Sequence, residues 1–487
     1  MSASLKVLKS AGLLFGIQLV QRGLGIVSTL VLARLLAPEH FGIVALVTIA
    51  LQFFELLVET GNQQYIVQKD TLDDDDLNTA WSMDILIKSG IAVLVIACSP
   101  ALAAWFEEPA LTTALAVASL ALPIRALKTP GMMRLAREIN YRPLFRLTLW
   151  QKGLSFLTVI TIALVEPSHW AIIIGNLVSA SVLAAGSYRV DHHRPRWTLA
   201  RFRQQWGFSQ WLLMRGLVGF TRSQIDNLLV SRLFGTAQLG GYNLVREVSL
   251  LPALSAIIPM SEPLLAAIAE SRSDPATLAY RVRLSLALLV SLLTPISAFI
   301  FLYPELIVNV LLGEQWQNFA SLLRPFSLFF FTFCLFALIS DAFIAQGRVK
   351  TLFWFDVVST LIIVAALYYW GSASLDTMAW LRGWLAIATT LALLALLERQ
   401  VRFDVPRLLH LCMPSVLATS LASLLVISVP VGEDSQILDF IVRGSCYVLI
   451  SASFMSALSW LFLRRSTEWQ QVVSLLSAFS SKFLRRG

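Results

Sequence analysis

Hydrophobic runs of about twenty residues recur along the whole chain, and the polar segments between them alternate between two kinds. Segments 37–40, 105–109, 166–169, 235–238, 303–320, 371–376 and 431–439 hold no Lys or Arg. The segments that alternate with them hold nearly all the basic residues. Arg134, Arg137, Arg142 and Arg146 fall in one, and Arg189, Arg194, Arg196, Arg201 and Arg203 in another. Arg272, Arg281 and Arg283, then Arg348 and Lys350, then Arg399, Arg402 and Arg407 continue the series. Basic residues stay on the cytoplasmic side of a hydrophobic span, so the alternation predicts fourteen crossings with both termini inside.

The predicted spans are 11–36, 41–58, 77–104, 111–127, 144–165 and 170–188, then 208–234, 239–265, 284–302, 322–345, 352–370 and 378–397, with 408–429 and 440–463 last. The expected class is an all-α polytopic membrane protein of 14 transmembrane helices, arranged as two pseudo-symmetric six-helix bundles plus two C-terminal helices. The expected organisation is an N-terminal lobe over 1–203, a C-terminal lobe over 204–399, two additional helices over 400–464 and a cytoplasmic amphipathic tail over 465–487. In that tail Trp469, Val472, Val473, Leu476, Phe479 and Phe483 recur at helical spacing, as in a helix lying in the membrane interface. The halves echo each other: residues 34–42, Arg-Leu-Leu-Ala-Pro-Glu-His-Phe-Gly, resemble residues 232–240, Arg-Leu-Phe-Gly-Thr-Ala-Gln-Leu-Gly, and each stretch follows the first helix of its six. Parallel repeats of this kind suit a transporter built from two rocking bundles.

Composition agrees with a bilayer as solvent: 57% of the 487 residues are hydrophobic, 14% are charged, and the mean hydropathy is +0.71. The net charge of +8 sits at span ends, facing anionic headgroups, and implies no nucleic-acid partner. Cys98, Cys334, Cys412 and Cys446 are scattered through apolar spans without metal or redox spacing. Lys6 and Lys9 precede a first span containing Gln18, Gln21 and Arg22, unlike the apolar core of a cleaved signal, so this span is expected to remain in the mature protein. One basic-side segment is acidic instead, Asp73 to Asp76 beside Lys69, and reads as a solvated loop rather than a divalent-metal site. Arg34, Arg232 and Arg324 lie near outer span ends and are expected to snorkel.

Candidate chemistry lies in charges placed inside spans, each costing at least about 2.5 kcal/mol at mid-bilayer unless it faces water or a partner. Helix one carries Gln18 and Arg22, four apart and on one face. Helix seven carries Arg215, Arg222 and Asp226 on a single stripe. Lys152 on helix five and Arg246 on helix eight add cations. The acids that might neutralise them, Glu55, Glu59 and Glu247, are fewer, whereas Asp84 and Lys88 read as a simple i,i+4 pair. The set predicts a cationic, wet interior that binds an anionic cargo, with Asp226 either the partner of Arg222 or part of a cation site. No Gly-x-x-x-x-Gly-Lys-Ser/Thr loop is present, so the chain is not expected to hydrolyse ATP, and no enzyme signature emerges.

Residues 33–42, 240–244 (Gly-Gly-Tyr-Asn-Leu) and 312–316 (Leu-Gly-Glu-Gln-Trp), in that order, resemble the Wzx-type polysaccharide and lipopolysaccharide flippases, especially the colanic-acid exporter branch. The resemblance implies the fold of the multidrug/oligosaccharidyl-lipid/polysaccharide (MOP) superfamily, alternating access, and an undecaprenyl-diphosphate-linked repeat unit as cargo in a bacterial inner membrane. By position it implies that Arg22 joins a cationic lining and that Asp226 helps bind Na+, with Na+ or H+ as the coupling ion and no other cofactor. Expected partners are the lipid-linked oligosaccharide, membrane lipids, and the polymerase or export machinery. Two other readings are a drug exporter of the same superfamily, disfavoured by the cationic interior, and a membrane glycosyltransferase or polysaccharide polymerase, disfavoured because 303–320 offers only Glu305 and Glu314.

Overall fold

The computed structural model describes residues 3–56, 66, 72–137, 142–259, 264, 268–271, 274–427, 436–471 and 473–474; within helices, side chains of 3–12, 14, 15, 19, 136, 137, 203–215 and 427 are outside the description. Glu59, Lys69, Arg272, the Arg215 side chain and the expected tail helix beyond residue 474 therefore fall outside the described residues. The chain divides into two compact units, Met1–Leu244 and Val245–Gly487.

The apolar runs become helices because hydrocarbon offers the backbone no hydrogen-bond partner other than itself. In the first unit these are α1 (Ala3–Leu35), α2 (Pro38–Leu56), α3 (Asp74–Trp105), α4 (Ala110–Ser119), α5 (Ala121–Ala126), α6 (Gly131–Arg137), α7 (Arg142–Val165), α8 (Trp170–Val190) and α9 (Phe202–Phe234), with the opening of α10 (Thr236–Pro252). The second unit holds the end of α10 and its π-helical continuation Ala253–Ile257, then α11 (Pro275–Leu302), α12 (Pro304–Leu311), α13 (Leu323–Ala345), α14 (Val349–Trp370), α15 (Leu375–Val401), α16 (Val405–Ile427) and α17 (Gln436–Leu463). Eleven helices among the described residues are long and apolar enough to cross a membrane, and Ala110–Ala126 is a shorter apolar stretch. Gly235, with φ of +89°, ends α9 and lets α10 begin one residue later, a turn for which L side chains are ill suited.

Within each unit, the ends that lack basic loops gather together and so do the basic ends. In the first unit, His40 faces His169 with Nδ1 atoms 3.5 Å apart, and Arg232 pairs with Glu107 at 2.7 Å rather than merely snorkelling. At the opposite ends Arg134 pairs with Asp191 and Arg201 with Asp73, each at 2.9 Å. In the second unit, Arg324 reaches Glu305 at 3.1 Å and Ser321 donates to Asp376 at 3.0 Å. Segment 303–320 is not an open loop: α12 and a 3-10 stretch, Glu314–Leu322, fold over the helix ends and bury Trp316 completely.

The acidic segment 73–76 also departs from the expected solvated loop. Asp73 caps α3, accepting from the Asp76 amide at 2.8 Å while Asp76 accepts from the Asp73 amide at 3.1 Å, and Asp76 is fully buried. The Asp73 carboxyl is held down at about 2, chiefly by the Asp76 hydrogen bonds and then by Arg201. Segment 191–201, which has no helix of its own, lies across the first turns of α3. Its amides need acceptors, and the α3 side chains supply them. Arg196 N donates to Asn78 Oδ1 (3.1 Å), Thr198 N to Ser82 Oγ (3.0 Å) and Arg201 N to Thr79 Oγ1 (3.3 Å). The link after the first six spans is thereby fastened down.

A second fastening joins the last two spans to the rest of the second unit. Arg402 and Asp404 adopt left-handed backbone, with φ of 53° and 61°, and turn Phe403 into the core. Arg283 of α11 donates to the Phe403 carbonyl at 3.1 Å and, through Nε and Nη2, to Glu468 Oε1 at 3.1 and 2.7 Å. Arg407 of α16 donates to Glu468 Oε2 at 2.9 Å. Burial by itself would raise the Glu468 carboxyl; the hydrogen bonds from Arg283, Arg407 and Thr467 more than reverse this and hold it at about 2. The side chain of Glu468 is 2% exposed and that of Arg283 9%, so removing the acid strands a buried cation.

We expect Glu468→Gln to cost roughly 3–5 kcal/mol, read as a lower thermal unfolding temperature of detergent-solubilised protein, with Arg283→Met/Glu468→Leu losing less. The folded carboxyl lies below its unfolded value. Its contribution is therefore complete above about pH 4.5 and drains away as pH falls toward about 2. An unchanged midpoint for Glu468→Gln would contradict the fastening.

Candidate functional site

Gln18 and Arg22 occupy one stripe of α1, Gln18 exposed and Arg22 half-buried. The Nη1 of Arg22 is buried with no hydrogen-bond partner. Lys152, on α7, makes no ion pair among the described residues and feels the like charge of Arg125. Arg125, in the last turn of α5, was not marked out by the sequence. It pairs at 3.1 Å with Glu55 of α2, an acid expected to neutralise the candidate cations, so Glu55 is spent elsewhere. Asp84 and Lys88 pair at 2.9 Å as expected.

On α9, Arg222 is half-buried and Asp226 fully buried, and each has polar partners. Tyr242 Oη donates to Asp226 Oδ2 at 3.2 Å. Beside it Asn227 donates to Gln224 (2.9 Å) and Asn243 (3.2 Å), and Gln224 donates to Gln52 of α2 (3.1 Å). Asn227 Oδ1 is a buried acceptor without a donor. A carboxylate and an orphan amide oxygen are the donors a hard cation takes, so these residues fit a Na+ ligand set in part. Arg246 lies in the second unit, half-buried on α10. Arg382 of α15, also in the second unit and missed by the sequence reading, is buried with its guanidinium 4.5 Å from the Phe329 ring centre. A charge seven residues into an apolar run was the available signal.

The echoed segments meet. A Cβ on Gly42 would overlap the carbonyl oxygen of Thr236, and a Cβ on Gly240 would overlap that of Pro38 while lying 2.8 Å from the Gly42 amide nitrogen. Aligned on their first arginines, Pro38 corresponds to Thr236 and Gly42 to Gly240. The contact is thus reciprocal: each repeat offers a bare glycine to the carbonyl that opens the other repeat's helix. Backbones approach this closely only where side chains are missing. The first unit is closed at the end lacking basic loops.

In the second unit a groove of about 700 Å³ runs between α11, α16, α17 and the end of α10, walled by Leu292, Ile296, Phe299, Val448, Ala452 and Met455 among others. Its wall is almost wholly hydrocarbon, so it suits an alkyl chain.

Helices of this length, grouped in this way with buried cations among them, define a multi-pass membrane carrier. The fold matches that of the lipid II flippase MurJ in its inward closed conformation, with a TM-score of 0.75 at 15% identity over 91% of this chain and 99% of that one. It also matches an inward-facing multidrug resistance MATE transporter of the MOP superfamily, with a TM-score of 0.65 at 12% identity over 79% and 94%. Residues 31–321 match the family described as polysaccharide biosynthesis protein, and the chain belongs to that family. Its relatives include the lipopolysaccharide biosynthesis protein WzxC of Escherichia coli (21% identical over 72% of each chain) and the succinoglycan biosynthesis transport protein ExoT of Rhizobium meliloti (23% over 74% of each). The teichuronic acid biosynthesis protein TuaB of Bacillus subtilis is 20% identical over 89% of this chain and 88% of its own. The expected likeness to the Wzx-type flippases is borne out.

Gly42→Val or Gly240→Val should overpack the reciprocal contact by roughly 1–3 kcal/mol. We expect a cysteine at Thr236 to become several-fold more reactive toward an impermeant thiol reagent and export to fall at unchanged protein level. Wild-type reactivity in both variants would show that this contact does not hold the end shut.

Proposed function

We propose that this chain is a flippase that moves undecaprenyl-diphosphate-linked oligosaccharide repeat units from the cytoplasmic to the periplasmic leaflet by alternating access, coupled to Na+ or H+. The observation carrying this reading is a pair of cations within spans that make no ion pair among the described residues: Arg22, whose Nη1 is buried without a hydrogen-bond partner, and Lys152, which feels the like charge of Arg125. A charge kept inside apolar helices without a protein counter-ion is costly, and an anionic cargo relieves that cost when it arrives. Guanidinium groups suit a diphosphate through paired N–H donors. Arg215, Arg222 and Gln18 complete the proposed lining of the first unit, and Arg246 is the proposed cargo-binding cation of the second. Asp226, beside the orphan oxygen of Asn227, is the proposed coupling residue, binding a cation or a proton. The apolar groove of the second unit takes the polyprenyl tail, leaving only the polar head to cross. Outward movement of negative charge gains about 2.3 kcal/mol per 100 mV in a cell negative inside.

Three further crossings, by α4 with α5, by α9, and by α10 with its π-helical continuation, complete fourteen. Both termini then lie in the cytoplasm of a bacterial inner membrane, and polymerase or export proteins receive the product. The family's part in polysaccharide biosynthesis and the basic sign of the candidate lining favour this over a drug exporter or a glycosyltransferase.

Arg22→Ala, Arg215→Ala and Arg222→Ala should each reduce export at least about tenfold, the scale of one lost charge-assisted contact, with abundance and insertion unchanged. Export by all three at the wild-type rate would sink the cationic lining. For orientation, cysteines replacing Glu314 and Arg196 should label from opposite faces, Glu314 from the periplasm; labelling from one face would overturn the arrangement.

A further inference from the structure

At the basic end of the first unit, α7 and α8 form a cleft of about 880 Å³ whose walls hold none of the residues of the proposed cargo lining. Its mouth holds three arginines, Arg142 and Arg146 from α7 and Arg189 from α8. Among the described residues no ion pair or hydrogen bond engages their guanidinium groups, whereas neighbouring Arg134 and Arg201 are both paired. Below the arginines the wall turns apolar, with Trp150, Leu154 and Val182. Arg142, Arg146, Trp150 and Leu154 recur every four residues and share a stripe of α7. That stripe continues into hydrocarbon-facing side chains: Trp150 is 69% exposed, Leu157 60% and Leu164 67%. Lys152 points about 140° away at 100° per residue. The opposite face of α7 packs on α8, where Gln151 donates to Ser179 at 3.0 Å and Ser155 to the Gly175 carbonyl at 2.8 Å. The cleft therefore opens toward bilayer and away from the proposed cargo lining.

We propose that this cleft is a binding site for an anionic glycerophospholipid of the cytoplasmic leaflet, its phosphate held by Arg142, Arg146 and Arg189 and one acyl chain lying along Trp150 and Leu154. Charge and depth agree. Three cations without a counter-ion among the described residues stand at the level of the headgroups, and an apolar wall of Trp150, Leu154 and Val182 descends from them into the hydrocarbon. The site is independent of the flipping reaction and stands or falls without it.

The test uses full-length protein in detergent, with dioleoylphosphatidylglycerol and dioleoylphosphatidylcholine supplied at equal concentration and retained lipid counted by native mass spectrometry. Wild type should prefer the anionic lipid by on the order of tenfold or more, given about 1 kcal/mol per basic residue at the surface. Arg142→Ala/Arg146→Ala/Arg189→Ala should abolish the preference, while Arg348→Ala/Lys350→Ala/Arg399→Ala, which removes the same charge elsewhere, should keep it. Ala185→Trp fills the cleft without altering charge and should also abolish it. Helical circular dichroism and a monodisperse elution profile establish that each variant is folded. An undiminished preference in the first triple variant or in Ala185→Trp would overturn the proposal. So would loss of the bound lipid to inorganic phosphate, which would mark a bare anion site, or to undecaprenyl diphosphate, which would assign the cleft to the cargo.

Discussion

Hydrocarbon tolerates neither an unsatisfied backbone amide nor an unsolvated charge, and nearly every feature of this molecule is a response to that intolerance. Backbones close into helices, and charges retreat to helix ends, where they pair or reach water. In the first unit Arg134, Arg201 and Arg232 all find carboxylates, and in the second Arg283, Arg324 and Arg407 do the same. Against that background Arg22 and Lys152 are exceptions. They remain within spans without an ion pair among the described residues, while one acid that could have neutralised them, Glu55, is committed to Arg125. The asymmetry motivates the proposed division of roles: paired ions at the ends hold elements together, and Arg22 and Lys152 are assigned to the cargo.

The reciprocal glycine contact belongs to the same logic. Two segments of related sequence each leave a helix start uncovered, and each fills the other's vacancy, so backbone packing adds to the Arg232–Glu107 pair and the His40–His169 contact at that end. Such a contact can separate without stranding a buried charge. The ion-pair fastenings at segment 191–201 and at Glu468 are of the other kind, and they tie connecting pieces firmly to their own unit.

How much of this was legible in the sequence differs by level. Periodic apolar runs and segregated basic residues gave the long helices, most of them to within a few residues at each end, because both reflect one-dimensional costs paid wherever the chain meets lipid. The short echo at 34–42 and 232–240 flagged the two segments that do come together, although no linear pattern could say that their glycines interlock. The acidic run 73–76 was read correctly as solvated at Asp73 to Asp75, but it is a helix start and Asp76 is buried. Only the arrival of segment 191–201 more than a hundred residues later explains why Asn78, Thr79 and Ser82 are polar. Arg125, Arg283 and Glu468 were invisible for the same reason: a residue near a span end looks ordinary until its distant partner is known. Candidate cations within spans were easy to find, because charge in an apolar run is conspicuous. Which of them lack partners was a question of three-dimensional packing.

The central proposal is that cations inside the helices, Arg22 and Lys152 foremost, face a wet path for an anionic lipid-linked cargo. Its most direct test starts from a chain lacking Cys98, Cys334, Cys412 and Cys446 and carries one cysteine in place of Lys152. In intact membranes that cysteine should react with a small charged thiosulfonate reagent, and undecaprenyl-diphosphate-linked oligosaccharide should slow the reaction several-fold. A thiol that ignores the charged reagent but reacts with a lipid-soluble maleimide would place position 152 in hydrocarbon and contradict the account.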